Sequence, residues 1–266
     1  MYGFYWDSTY YLVLLGVALC AIASWNVSST YRRFSQVRNS RGMTSQDVAA
    51  QILQRSGIYD VRIERVRGNL TDHYDPRTRT LRLSESVHDS RSIAAIGVAC
   101  HEAGHALQHA EKYSFLQLRM SMIPVCRIGS GLAMPLFLVG LLIGELGYVF
   151  MVAGILCFSL AALFQLITLP VEFNASRRAM TVLQEANILY GDELTGARKV
   201  LTAAALVIVA AMLLFVGVLF IDVGTLHNTL QNGLRLERHQ QVVELLLGLC
   251  LGGNLQSDAA HKVASM

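Results

Sequence analysis

The segment HEAGH at residues 101–105 combines two histidines and a glutamate at a spacing that could bind a metal ion. On a helix, His101 and His105 project from the same face, where two imidazoles can bind one Zn²⁺ ion. Glu102 lies beside them, and its carboxylate could accept a proton from a zinc-bound water. The alternative is two helical histidines that make only ordinary hydrogen bonds. The apolar stretch SIAAIGVAC before the motif predicts a helix with one buried side and favours the metal site.

A catalytic zinc site needs a third protein ligand, with water in the fourth position. The extended motif HExxHxxGxxH is absent, because the residues after His109 are AEK. Glu172 is the predicted third ligand, since it ends a long apolar run, where a carboxylate is costly unless it is paired or bound to a metal. Two apolar runs separate it from the motif, and two membrane spans would return the chain to its starting side. The alternatives are an ion pair of Glu172 with Arg177 or Arg178, and His109 as the third ligand.

Apolar residues make up 53% of the 266 residues and charged residues only 15%, too few to cover the surface of a soluble enzyme. The net charge of +3 is small, so no nucleic-acid partner is expected. Four uncharged stretches cover residues 8–31, 128–144, 146–171 and 200–221. A membrane-spanning helix needs about 20 apolar residues, with a range of roughly 17–25. The sequence therefore predicts a mostly α membrane protein with about four transmembrane helices in a lipid bilayer. Buried helices of a soluble domain are the alternative.

The positions of the basic residues indicate how these helices would be oriented. Lys and Arg cluster between residues 32 and 122 and between 172 and 199, and such clusters remain on the cytoplasmic side of a membrane. The first stretch is predicted to be an uncleaved anchor, because no Lys or Arg precedes it, as a signal peptide would require. We therefore expect a multi-pass protein of the inner (cell) membrane with its active site on the cytoplasmic side. Its predicted parts are an anchor (8–31), a cytoplasmic segment with the motif (32–122), a two-span hairpin that turns near Glu145 (123–171), a loop or helix with the third ligand (172–199), a last span (200–221) and a tail (222–266).

The cytoplasmic segment is predicted to be a small α+β unit. A helix is expected over residues 44–56, and alternation of apolar and polar residues predicts a strand over 61–66. The stretches 70–74 and 78–83 flank a turn at Asp75-Pro76 and predict a β-hairpin, which would make a small antiparallel sheet. Ser90 is the predicted cap of a helix that begins near Ile93 and carries the motif. The tail is ambiguous, because its apolar run 245–251 is too short to span a membrane.

Four segments resemble the YugP-type membrane zinc metallopeptidases of bacteria. They are LTDHYDPRTRTLRLSESV (70–87), HEAGHALQH (101–109), LPVEFNASRRAM (169–180) and GARKVLTAAALVIVAA (196–211), and the resemblance covers most of the chain from Arg38 to Ile221. More distantly, the order of HExxH, two spans and a glutamate resembles the heat-shock membrane protease HtpX and the type I CAAX prenyl protease.

This resemblance implies a zincin-like fold and a gluzincin-like site. It implies His101, His105 and Glu172 as ligands of one zinc ion and Glu102 as the catalytic base. Ser176 departs from the pattern, because in the more distant relatives an aspartate stands four residues after the glutamate. The role of such an aspartate is therefore in doubt here.

These observations predict a membrane-anchored zinc endopeptidase that hydrolyses protein or peptide substrates, membrane proteins among them, at the cytoplasmic membrane face. The hairpin that ends at Leu83 would supply an edge strand with which an extended peptide pairs. An oxyanion stabiliser is also needed, and His73, Tyr74 and Tyr190 are candidates, each with a structural role as the alternative. Two other functions stay open at this point: an intramembrane site-2-type metalloprotease, and a membrane scaffold that binds metal without catalysis.

Overall fold

The computed structural model describes residues 9–69, 71–143 and 147–232 of the chain. Within these residues the chain forms six helices and three short strands. The helices are α1 (Thr9–Ser35), α2 (Ser45–Arg55), α3 (Ile93–Ala110), α4 (Ser114–Leu142), α5 (Gly147–Glu185) and α6 (Asp192–Asn232), and the strands are β1 (Arg62–Val66), β2 (His73–Asp75) and β3 (Thr80–Ser84). The predicted turn at Glu145 lies outside the described residues, and so do residues 233–266 of the predicted tail (222–266).

Four of the described helices are long and apolar enough to cross a membrane. The segments that qualify by length and composition are Tyr11–Ser35, Ser114–Gly140, Gly147–Glu185 and Asp192–Ile221. Each overlaps one of the four uncharged stretches, so the prediction of a mostly helical chain with about four candidate membrane spans is confirmed. Helix α5 continues beyond the predicted end of its apolar stretch, and Glu172 therefore lies on a helix.

The described residues divide into two compact units, here called the helical unit and the mixed unit. The helical unit contains residues 9–21, 118–143, 147–167 and 209–232. Large apolar side chains lie on its outside, such as Leu156 at 62% and Phe220 at 59% exposure, as expected of helices that face lipid. Its buried apolar side chains form two small clusters, one of Val13, Leu214, Val218 and Ile221 and one of Phe137, Met151 and Ile155.

The mixed unit, residues 22–69, 71–117 and 168–208, contains a three-stranded sheet in the order β1-β3-β2. Strands β2 and β3 are antiparallel, with Tyr74 opposite Leu81, so the hairpin prediction is confirmed. The prediction of an antiparallel sheet is wrong, because β1 runs parallel to β3. Strand β3 takes the central position since it carries the fully buried Leu81 and Leu83. The edges of the sheet are β1 and β2, so the hairpin supplies an edge strand through β2 and not through the strand that ends at Leu83.

The helix that carries the motif begins at Ile93, as predicted, but its cap is Ser92 and not Ser90. The hydroxyl of Ser92 accepts a hydrogen bond from the backbone N–H of Ala95 at 3.2 Å. This is the usual geometry of a cap, since Ala95 is the third residue of the helix. Ser90 donates its own hydroxyl to that of Ser92 and so supports the cap.

Helix α3 is the central helix of the mixed unit, and residues 93–108 are all buried. One set of its side chains, including Ile96 and Cys100, belongs to a core with residues of α2, α5 and α6. Another set, including Ala95 and Ala99, belongs to a core with Leu81 and Leu83 of the sheet. Burial on both sides fixes the rotation of α3 about its axis and thereby the direction in which the motif points.

Candidate metal centre

Helices α3 and α5 approach closely at Gly104, inside the motif. A Cβ atom at Gly104 would lie 2.6 Å from the carbonyl oxygen of Ala175, which is fully buried. A side chain at Gly104 would therefore displace the backbone of α5. Because Gly104 lies between the two histidines and Ala175 follows Glu172 by three residues, this contact places the motif opposite the glutamate.

The three residues predicted as ligands meet at this contact. One carboxylate oxygen of Glu172, Oε2, lies 3.1 Å from His101 Nε2 and 3.5 Å from His105 Nε2. The ligand atoms of the three side chains all lie within 4.8 Å of one another. All three residues are buried, Glu172 with only 2% of its surface exposed. The structure thus brings together residues that are more than 60 positions apart in the sequence.

These side chains fit a zinc ion. Two imidazole nitrogens and a carboxylate oxygen are donors that zinc accepts, and three protein ligands leave a fourth position for water or substrate. The surroundings favour a cation, since Val98, Val200 and Ala204 line an apolar cavity beside His101 and Glu172. A carboxylate buried among apolar side chains is costly unless opposite charge or hydrogen bonds compensate it.

Each histidine is also held at its outer nitrogen. The Nδ1 atom of His101 lies 3.1 Å from the hydroxyl oxygen of Ser176, and that of His105 lies 3.0 Å from Oε1 of Gln108. Such bonds orient the ring and direct Nε2 towards a metal ion. Ser176, the position that departs from the pattern of the more distant resemblance, contacts the imidazole of His101 through its hydroxyl.

Glu102 is held beside the ligands by the sheet. Its carboxylate is almost fully buried, at 1% exposure, and Oε2 accepts a hydrogen bond from the backbone N–H of Tyr74 at 3.0 Å. Tyr74 is the middle residue of the edge strand β2. A carboxylate fixed next to a metal ligand in this way can accept a proton from a water that attacks a substrate.

The alternative ligand His109 has another partner. Its Nδ1 atom lies 2.8 Å from the hydroxyl of Tyr74, and the cluster of possible ligands among the described residues does not include it. Burial lowers the pKa of His109 and raises the pKa of Tyr74 to about 12. At neutral pH the pair is therefore a neutral imidazole and a protonated phenol, which form an ordinary hydrogen bond.

The two other oxyanion candidates also have partners of their own. The ring nitrogens of His73 contact the carbonyl of Thr71 at 2.9 Å and the guanidinium of Arg82 at 3.4 Å. The hydroxyl of Tyr190 lies 3.3 Å from that of Ser40. These contacts support the structural alternative for both residues.

Arg178, one of the two suggested ion-pair partners of Glu172, makes an ion pair with Glu111. One of its guanidinium nitrogens, Nη1, lies 2.6 Å from Oε1 of Glu111, and its Nε donates to the side-chain oxygen of Asn174 at 2.7 Å. The hydrogen bond from Arg178 to Glu111 and the positive charge of the guanidinium lower the pKa of Glu111.

Sequence reasoning did not identify Gln108 or Gly104 as parts of the site. Gln108 carried a usable signal, because it is a polar residue in an apolar helix and lies three positions after His105, on the same face. Gly104 carried none, since a glycine in a helix indicates close packing only when the neighbouring backbone is known.

Comparison with known proteins gives the family of the chain. Residues 9–223 match the model of a family described as "Putative neutral zinc metallopeptidase". The chain belongs to this family. It is also 48% identical over 192 residues, 72% of this chain and 84% of the relative, to a protein of Bacillus subtilis (strain 168) named "Putative membrane protease YugP". The YugP-like resemblance is thus confirmed. No solved structure matches the chain.

We expect Gly104→Ala to separate α3 from α5 and weaken the candidate metal centre. The added methyl group would meet a backbone atom at 2.6 Å, and overpacking of this kind costs about 1–3 kcal/mol. Zinc content per purified chain, measured by mass spectrometry, should fall clearly below that of the wild type. Gly131→Ala is the matched control, because a Cβ there meets no atom within 4 Å. Equal zinc content in both variants would contradict this account.

We expect Glu172→Ala to lower zinc content as strongly as His105→Ala does. Removing the carboxylate leaves only two imidazoles, which is fewer protein ligands than zinc sites in proteins have. The control is Glu185→Ala, which removes an exposed carboxylate from the end of the same helix. Full zinc occupancy in Glu172→Ala would move the third ligand to another residue.

Proposed function

We propose that the chain is a membrane-anchored zinc endopeptidase, with His101, His105 and Glu172 as the ligands of one zinc ion and Glu102 as the general base. The proposal rests on one observation. His101, His105 and Glu172 lie together in the interior of the protein, and Glu102 beside them is held by a hydrogen bond from the sheet. Membership of a zinc metallopeptidase family supports the same chemistry.

The reaction would be the addition of water to a peptide carbonyl, followed by loss of the amine. When bound, zinc supplies a Lewis acid that polarises the scissile carbonyl and acidifies the attacking water. Glu102 accepts a proton from that water and later donates it to the leaving nitrogen. Ser176 and Gln108 keep the two imidazoles oriented, and the apolar side chains around Glu172 keep bulk water away.

The outer edge of β2 is the proposed binding surface for an extended peptide substrate. The N–H of Tyr74 points to Glu102 and away from β3, so this edge faces the candidate site. The carbonyl of the same residue points the same way in a strand. Because Glu102 already accepts the N–H of Tyr74, a substrate strand would pair with β2 through this carbonyl and would pass alongside Glu102, as in other cases of peptide recognition by strand addition.

The observations favour this function over the two alternatives. An intramembrane site-2-type protease would place the motif within a membrane span, but α3 is not among the four described helices that qualify as spans. A scaffold that only stores metal would not need Glu102 next to the ligands. We propose the cytoplasmic face of the inner membrane as the location, because the basic clusters lie in the segments that carry the site. Protein or peptide substrates, membrane proteins among them, are the proposed partners.

We expect Glu102→Gln to keep zinc and lose peptidase activity. The amide has the shape of the carboxylate but cannot accept the proton, and loss of a general base costs about 10²–10⁴-fold in rate. The measurement is cleavage of casein by the full-length protein in detergent, together with zinc content. Glu85→Gln, an exposed position, is the matched control. Activity near the wild-type level with zinc still bound would show that Glu102 is not the base.

We expect residues 85 and 181 to lie on the same, cytoplasmic side of the membrane. Both are exposed, and they flank the motif and Glu172 along the chain, whereas Ser84 is buried and unsuitable for labelling. With the native cysteines replaced, Glu85→Cys and Thr181→Cys should react with an impermeant maleimide only after the cells are opened. Glu145→Cys, in the predicted outer turn, should react in intact cells. Labelling of residue 85 or 181 from outside would refute the orientation.

A further inference from the structure

A buried amide connects the second histidine of the motif to helix α5. Gln108 has no exposed surface. Its Oε1 atom lies 3.0 Å from His105 Nδ1, and its Nε2 atom donates to the carbonyl of Val171 at 2.8 Å and to Oδ1 of Asn174 at 2.9 Å. Both N–H groups of the amide and its oxygen thus contact groups of the chain itself.

The direction of each of these hydrogen bonds is fixed by chemistry. The guanidinium of Arg178 can only donate, so Oδ1 of Asn174, which lies 2.7 Å from Arg178 Nε, must accept. The carbonyl of Val171 can also only accept. The amide nitrogen of Gln108 must therefore face both oxygens, and its own oxygen must face His105. Since that oxygen can only accept, Nδ1 of His105 carries the hydrogen.

This assignment decides what the other nitrogen of His105 presents. With the hydrogen on Nδ1, Nε2 is the nitrogen that can bind a metal ion, and it lies 3.5 Å from Oε2 of Glu172. A Zn²⁺ ion between this nitrogen and the carboxylate oxygen would bind to both. His101 differs, because the hydroxyl of Ser176 can donate or accept and does not fix the hydrogen of that ring.

We propose that Gln108 is a positioning residue that holds His105 with its hydrogen on Nδ1 and Nε2 directed to the metal, and that Arg178 sets the orientation of Gln108 through Asn174. The inference rests on the proposed zinc centre and adds to it a chain of four side chains across α3 and α5. Arg178 is anchored at the end of α3 by its ion pair with Glu111. Arg178, which is not a ligand, would thereby determine which tautomer of His105 the centre contains.

The test is the dissociation constant of Zn²⁺ for the full-length protein in detergent, measured by competition with a chelating dye. Gln108→Leu removes the acceptor at Nδ1 and should weaken zinc binding about 10–100-fold, as loss of such a partner does at other metal sites. Gln51→Leu is the matched control, because it removes a half-buried glutamine from α2 in the same unit and should leave the constant unchanged.

A pair of variants at Asn174 separates orientation from packing. Asn174→Asp keeps an oxygen that accepts from both Gln108 and Arg178, so zinc binding should stay within about threefold of the wild type. Asn174→Leu has a similar size but no acceptor, and should weaken binding in the same direction as Gln108→Leu. A purely structural role predicts no such preference for Asp, and this pair remains informative if Gln108→Leu does not fold.

The possible failures are distinguishable. If the wild type binds zinc and His105→Ala does not, but Gln108→Leu binds as tightly as the wild type, the positioning role is refuted and the zinc centre stands. Equal weakening by Asn174→Asp and Asn174→Leu also overturns the positioning role. If zinc binding by the wild type does not depend on His105, the zinc centre is refuted and the inference with it.

Discussion

The close approach of α3 and α5 at Gly104 and Ala175 is the constraint on which the candidate centre depends. Without it, Glu172 would be a carboxylate buried on an apolar helix, which is costly. With it, the same carboxylate lies 3.1 Å and 3.5 Å from two imidazole nitrogens, and the three side chains form a site that favours a cation. Burying the carboxylate of Glu172 costs free energy, and a bound metal ion would offset this cost. The burial therefore favours metal binding.

The sequence predicted those parts of the fold that follow from local patterns. The apolar runs predicted the candidate spans, and the spacing of His101 and His105 predicted one helical face. Glu172 could be predicted as a ligand although it is far from the motif in the sequence, because a carboxylate at the end of an apolar run is costly unless it is paired or bound to a metal. Pairing between strands was less predictable, since the alternation within β1 does not reveal that β1 joins β3 in parallel.

The supporting residues of the site could not be predicted in the same way. Gln108 and Asn174 acquire their roles only when α3 and α5 are side by side, and a glutamine in a helix has many possible partners. Ser176 shows the reverse case. The distant resemblance suggested a loss at that position, and in the structure its hydroxyl still contacts His101.

The proposed function depends on a single zinc ion that joins the motif of α3 to the glutamate of α5. Anomalous diffraction at the zinc absorption edge, from crystals of the full-length protein grown with zinc, tests it most directly. We expect one peak within about 2.0–2.2 Å of His101 Nε2, His105 Nε2 and a carboxylate oxygen of Glu172. A peak bonded to the two histidines and to another residue, or no peak at this position, would contradict it.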